Sequence, residues 1–91
     1  MKYEQKLHKV MQDIENLLLS KHNDYGSSNL LKHGLFGIVV RLSDKQARLD
    51  NLVGSGKTAK VSESVGDTLM DMAGYAIQAL VLFFDSEPDW L

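Results

Sequence analysis

Cysteine is missing from this sequence, and so is any excess of positive charge. With no cysteine among its 91 residues, the chain can form neither a disulfide nor a thiolate zinc site, which fits a reducing cytosol. The formal net charge of -2 and the pI near 5.8 argue against a general affinity for nucleic acid, which needs a basic surface. We therefore predict a cytoplasmic protein without a nucleic-acid partner.

A strict P-loop and a membrane-spanning run are also missing. The stretch GKT at residues 56–58 resembles the end of a P-loop, but Asn51 stands where that motif needs glycine. The segment in front of it also reads as a helix rather than the required strand. The first ten residues are charged throughout, unlike a signal peptide. The apolar run from Met72 to Phe84 is too short to span a bilayer, so we expect no membrane partner.

Hydrophobic spacing predicts three helices and an all-α fold in a single small domain. Apolar residues recur at helical spacing in Tyr3–Ser20, from about Leu35 to Val53, and from Ser62 to about Phe84. The polar stretch from Asn23 to Asn29 is typical of a loop. A chain of this length has difficulty burying a full core by itself.

The third predicted helix indicates a homo-oligomer. After Asp71 it is apolar nearly all round, and a helix without a polar face is buried on every side. Two other helices in so short a chain can hardly cover it. We therefore expect further copies of the chain to complete the bundle.

Carboxylates and cations occupy matching positions on the predicted helices. Glu63, Asp67 and Asp71 follow one another at i, i+4 spacing, which puts them on one stripe of the third helix. The second helix carries Arg41, Asp44, Lys45 and Arg48 beside its apolar stripe, and Lys21 lies on the core side of the first. In one interpretation these groups form structural ion pairs. In the other, the acids hold Mg²⁺ and the bases hold ligand phosphate.

Three segments together resemble the phage nucleotide-modification-associated domain family. They read KHNDYG at 21–26, RLSDKQARLDNL at 41–52 and ESVGDTLMDMAGYAI at 63–77. In that family a K-x-x-D-Y-G turn, an R-x-x-D-K-x-x-R helix and an E-x-x-x-D helix recur in this order. The resemblance implies an all-α fold, oligomers, a phage or prophage origin, the cytoplasm of a bacterial host and a nucleotide ligand.

That family is similar in turn to the MazG-like all-α pyrophosphohydrolases of nucleoside triphosphates. Their late E-E-L-G-D motif appears here as ESVGD at residues 63–67. Those enzymes complete a Mg²⁺ site with an early E-x-x-E pair, and the acids of the first helix lack that spacing. Only Asp24 could add a carboxylate from the front half, and Tyr25 could stack on a base.

These features leave three hypotheses. The chain is a nucleotide binder that sequesters a nucleotide or cyclic-nucleotide signal, or a Mg²⁺-dependent pyrophosphohydrolase, or a structural oligomerising module. The incomplete acid set favours the binder over the enzyme. The predicted ligand-binding residues are Lys21, Asp24, Tyr25, Arg41, Asp44, Lys45 and Arg48, and the predicted metal ligands are Glu63, Asp67 and Asp71.

Overall fold

The computed structural model describes residues 1–54 and 59–85, without the side chains of 25–31 and 59–63. It contains three helices: α1 (Tyr3–Leu31), α2 (Gly34–Gly54) and α3 (Ala59–Phe84). No strand occurs in the described ranges, so the predicted three-helix, all-α architecture is confirmed. The helical context in front of the GKT stretch is also confirmed, while residues 55–58 themselves lie outside the description.

The predicted loop between Asn23 and Asn29 is wrong, because α1 continues to Leu31. Asparagine, aspartate and serine each cost a helix well under about 1 kcal/mol relative to alanine, and each added residue still gains a backbone hydrogen bond. No proline stands in the segment to remove one. The first third of the chain therefore forms one helix of about 43 Å at 1.5 Å per residue, and the K-x-x-D-Y-G segment is helical rather than a turn.

A two-residue connection separates α1 from α2, and glycine makes its geometry accessible. Gly34 has a φ of 61°, in the left-handed region that other residues rarely adopt. The amide of Gly37 donates to the carbonyl of His33 at 3.1 Å, which starts the hydrogen-bond ladder of α2. A side chain on Gly37 would collide with the Cβ of His33.

The helices α2 and α3 form an antiparallel pair, and this pair is the main packing contact of the chain. Lys45 reaches Asp71, while Arg41, one turn earlier on α2, reaches Tyr75, one turn later on α3. The helix α3 begins at Ala59, three residues before the predicted Ser62. Ala59 and Lys60 are good helix formers, so the helix begins before Ser62.

The helix α1 crosses the middle of α3 at a glycine. Gly74 is buried, and a Cβ added there would lie 3.2 Å from Cδ2 of Leu18. Six residues earlier on α3, the buried hydroxyl of Thr68 donates to the carbonyl of Ser64 at 2.7 Å, which satisfies its only donor within the helix. The missing side chain at Gly74 thus sets how closely α1 approaches.

This crossing predicts opposite effects for two glycine substitutions in α3. Gly74→Leu must push Leu18 out of place, and we expect overpacking to lower the free energy of unfolding by about 1–3 kcal/mol. Gly66→Ala is the matched control, because open space surrounds that position. It should raise the free energy of unfolding by about 0.5–1 kcal/mol through helix propensity. Urea unfolding at equal protein concentration measures both, and a Gly74→Leu protein as stable as wild type would contradict the close crossing.

In the single chain, α3 turns its more polar face inward and its apolar face toward solvent. Its inward stripe, at heptad spacing, is mostly polar, and all six members are buried or half-buried: Ser64, Thr68, Asp71, Tyr75, Gln78 and Leu82. The stripe on the opposite side is entirely apolar and mostly exposed: Leu69, Ala73, Ala76, Leu80 and Phe83. We call this second stripe the outer seam.

Few apolar side chains are covered inside one chain. Among the described residues only Ile14 and Ile38 are buried hydrophobics. In α1, every residue before Ile14 is exposed, including Tyr3, Leu7 and Val10 of its apolar stripe. The apolar patterns predicted from the sequence are present, but a single copy leaves large parts of them in solvent.

The length of α3 bears on the membrane prediction. Its segment Ser64–Phe84 is long and apolar enough, by length and composition, to cross a membrane, with a mean hydropathy of 1.2. The sequence argument counted only from Met72, and the helix adds eight residues in front of that run. The core helix of a soluble protein passes the same test, and Asp67 and Asp71 lie within this segment. The absence of a membrane partner stays a prediction.

Candidate functional site

An open cleft of about 320 Å³ lies between α2 and α3. Four of its lining residues come from α2 and one comes from α3: Arg41, Asp44, Lys45, Arg48 and Tyr75. The α2 residues stand at i, i+3, i+4 and i+7, so two turns of one helix face present them together. The structure thus gathers in one place the whole charged set that the sequence predicted on α2.

Asp71 joins all three helices just beside the cleft. Its Oδ2 lies 3.0 Å from Nζ of Lys45 on α2, and its Oδ1 lies 3.9 Å from Nζ of Lys21 on α1. The Asp71 side chain is 28% exposed and that of Lys45 is 30% exposed, so solvent screens the pair only in part. These three charged groups are therefore paired with one another in the single chain.

The two arginines of the cleft differ from Lys45, which is paired with Asp71. Within the described part of the chain, neither Arg41 nor Arg48 forms a salt bridge with a carboxylate. The lining residues carry three positive charges against the single negative charge of Asp44. A cleft with net positive charge in a chain of net charge -2 is an electrostatic attractor for anions.

Tyr75 is the cleft residue that the sequence interpretation missed. It stands in the apolar run of the third helix, a position typical of a core residue, yet it is half-buried and lines the cleft. The guanidinium carbon of Arg41 lies 6.0 Å from the centroid of its ring, at the outer limit of a cation–π contact. A signal was present, because Tyr75 follows Asp71 by four residues and so shares its helix face.

Two other predicted ligand-binding residues, Lys21 and Asp24, do not line the cleft. Lys21 is half-buried, and its amine lies 3.9 Å from Oδ1 of Asp71. Asp24 is exposed on α1. The side chain of Tyr25 lies outside the described part of the chain, so its predicted role in base stacking stays a prediction.

Among the described residues, the predicted metal ligands do not come together in one cluster. No group of three or more histidine or acidic side chains that could hold a metal ion occurs among them. Asp67 is exposed, both oxygens of Asp71 face lysine amines, and the side chain of Glu63 lies outside the description. The described acids therefore do not form a three-acid cluster, and the Mg²⁺ site with Glu63 stays a prediction.

Fold and cleft together define a small all-α protein with a basic, tyrosine-lined cleft between two antiparallel helices. The family model described as Nucleotide modification associated domain 1 matches residues 21–83. The chain belongs to this family, which confirms the resemblance seen in the sequence. No curated protein and no solved structure matches the chain.

Proposed function

We propose that the chain binds a phosphorylated nucleotide in the cleft between α2 and α3. The observation that carries the proposal is the gathering of Arg41, Lys45 and Arg48 around one cleft, where Asp44 is the one lining carboxylate and Asp71 pairs with Lys45 beside it. Membership of a nucleotide-modification-associated family supports a nucleotide as the source of the phosphate. The cleft volume lies at the lower end of the range for small-molecule sites, which suits one nucleotide unit.

Arg48 is the strongest candidate for phosphate within this set. Its side chain is exposed at the cleft without a carboxylate partner among the described residues, and a guanidinium matches two phosphate oxygens at once. Lys45 lies one turn away and can turn from Asp71 toward an incoming anion. Binding of this kind accounts for a protein that sequesters a nucleotide signal without consuming it.

Removing the Arg48 guanidinium tests this proposal. Charge-assisted hydrogen bonds are worth about 1.5–3 kcal/mol each, so Arg48→Ala should weaken nucleotide binding by roughly tenfold or more. Isothermal titration calorimetry with a panel of nucleoside mono- and triphosphates measures the affinity, and circular dichroism checks that helix content is unchanged.

Lys6→Ala is the matched control, because it removes one positive charge from the exposed start of α1, outside the cleft. It should change the affinity by less than about twofold, since screening weakens charges more than about 10 Å apart. An Arg48→Ala protein that unfolds, together with a wild type that binds no nucleotide, would favour the structural ion-pair interpretation instead.

We further propose that the protein is a homo-oligomer that associates through the outer seam of α3. The seam has the four-and-three spacing of a coiled-coil interface, and small Ala73 and Ala76 at its centre allow close approach of a second helix. The cleft residue Tyr75 lies on the inward face of the same helix. Association through the seam therefore leaves the cleft accessible.

A further inference from the structure

We propose that Tyr75 and Arg41 form a stacking clamp for the nucleobase, so that the cleft selects whole nucleotides over bare phosphates. This inference rests on the proposed function and assigns the base end of the same site. It starts from the one aromatic side chain of the cleft and from the guanidinium that lies above its ring.

The spacing between the two side chains is close to what a base requires. Flat groups in van der Waals contact are about 3.5 Å apart, so a base between a ring and a guanidinium needs a gap of about 7 Å. Arg41 Cζ is 6.0 Å from the Tyr75 centroid. Because Arg41 is exposed and its side chain is long, a displacement of about 1 Å opens the gap without moving a helix.

The positions along α2 separate the base end from the phosphate end. Arg48 follows Arg41 by two helical turns, which is about 10 Å along the axis, with Lys45 between them. A nucleotide with its base at Arg41 and its phosphate at Arg48 and Lys45 would occupy the length of the cleft. Stacking uses the flat face that every base has, so the clamp accepts all bases and holds the larger purines more tightly.

Three variants test the clamp. Tyr75→Leu keeps an apolar side chain but removes the flat ring, and Arg41→Lys keeps the charge but removes the planar group. Each should weaken binding of adenosine 5′-monophosphate by about tenfold, as the loss of one stacked base does. Tyr75→Phe keeps the ring and should bind within about twofold of wild type.

Ribose 5-phosphate is the probe that separates base from phosphate. It carries the phosphate without a base, so Tyr75→Leu and Arg41→Lys should change its affinity by less than about threefold, in calorimetry with the same protein preparations. If Tyr75→Leu loosens the fold, Arg41→Lys and Tyr75→Phe still decide the question, because the former lies on the surface and the latter removes only a hydroxyl.

The results that would overturn the clamp differ from those that would overturn the proposed function. If wild type binds ribose 5-phosphate as tightly as adenosine 5′-monophosphate, or if Arg41→Lys affects both equally, the clamp is overturned and phosphate binding stands. If neither these two probes nor the wider nucleotide panel binds, the proposed function is overturned and the clamp with it.

Discussion

Leu80→Asp should convert the protein from an oligomer to monomers or insoluble material. Leu80 lies in the outer seam and is 53% exposed in the single chain, between Ala76 and Phe83. In a symmetric interface each substitution counts twice, and an unpaired carboxylate placed in an apolar contact costs several kcal/mol. A loss of about 4 kcal/mol corresponds to a thousandfold weaker association.

The exposure of the outer seam in one chain supports this effect. Leu69 is 50% exposed, Leu80 53% and Phe83 67%, although large apolar side chains are normally covered in a folded protein. A second copy supplies the same apolar seam, so the two seams can cover one another.

Sedimentation velocity at micromolar concentration measures the association. Ser43→Asp is the control, because it adds the same charge to an exposed polar position of α2 and should leave the oligomer intact. A wild-type chain that sediments as a monomer under these conditions would contradict the proposed interface.

Nucleoside triphosphates should remain intact when incubated with the protein and Mg²⁺ or Mn²⁺. Phosphoanhydride hydrolysis needs a metal ion held close to the phosphates. Both oxygens of Asp71 face lysine amines, Asp67 is exposed, and no three acidic or histidine side chains gather in the described residues. We therefore expect bound nucleotide to be recovered unchanged after heat denaturation, as shown by anion-exchange chromatography.

Two substitutions distinguish the binder from the enzyme. In a binder, Asp71→Asn frees Lys45 for the ligand, and we expect nucleotide affinity to rise about two- to fivefold, because a partly exposed ion pair is worth up to about 1 kcal/mol. Asp67→Asn should leave affinity unchanged. In a pyrophosphohydrolase, Asp67→Asn would instead lower turnover at least about a thousandfold.

Asp13→Asn is the matched control for Asp71→Asn. Asp13 also pairs with a lysine, at 3.6 Å from Nζ of Lys9, but it lies on the exposed start of α1. Its substitution should not change nucleotide affinity. Pyrophosphate and nucleoside monophosphate that accumulate with wild type and not with Asp67→Asn would overturn the prediction of a binder.

Local sequence patterns determined the helices and the grouping of charge on α2. Helical periodicity depends on residues a few positions apart, so the pattern alone predicted three helices and put Arg41, Asp44, Lys45 and Arg48 on one face. The family resemblance also followed from short motifs that are read along the chain. The continuation of α1 through its polar stretch was not predictable in this way. Extending a helix that is already formed is favourable enough to offset the small helix-propensity cost of polar residues.

Only the tertiary structure decided which face of α3 turns inward and what its polar residues meet. An apolar run indicates that a helix is buried. It does not show which face packs against the other helices of the chain and which face is left for a partner. Asp71 meets lysines from α1 and α2, and Tyr75 meets Arg41, through packing between residues far apart in sequence. Those contacts depend on how helices cross, at positions such as Gly74 and Leu18, and helical periodicity carries no information about crossing.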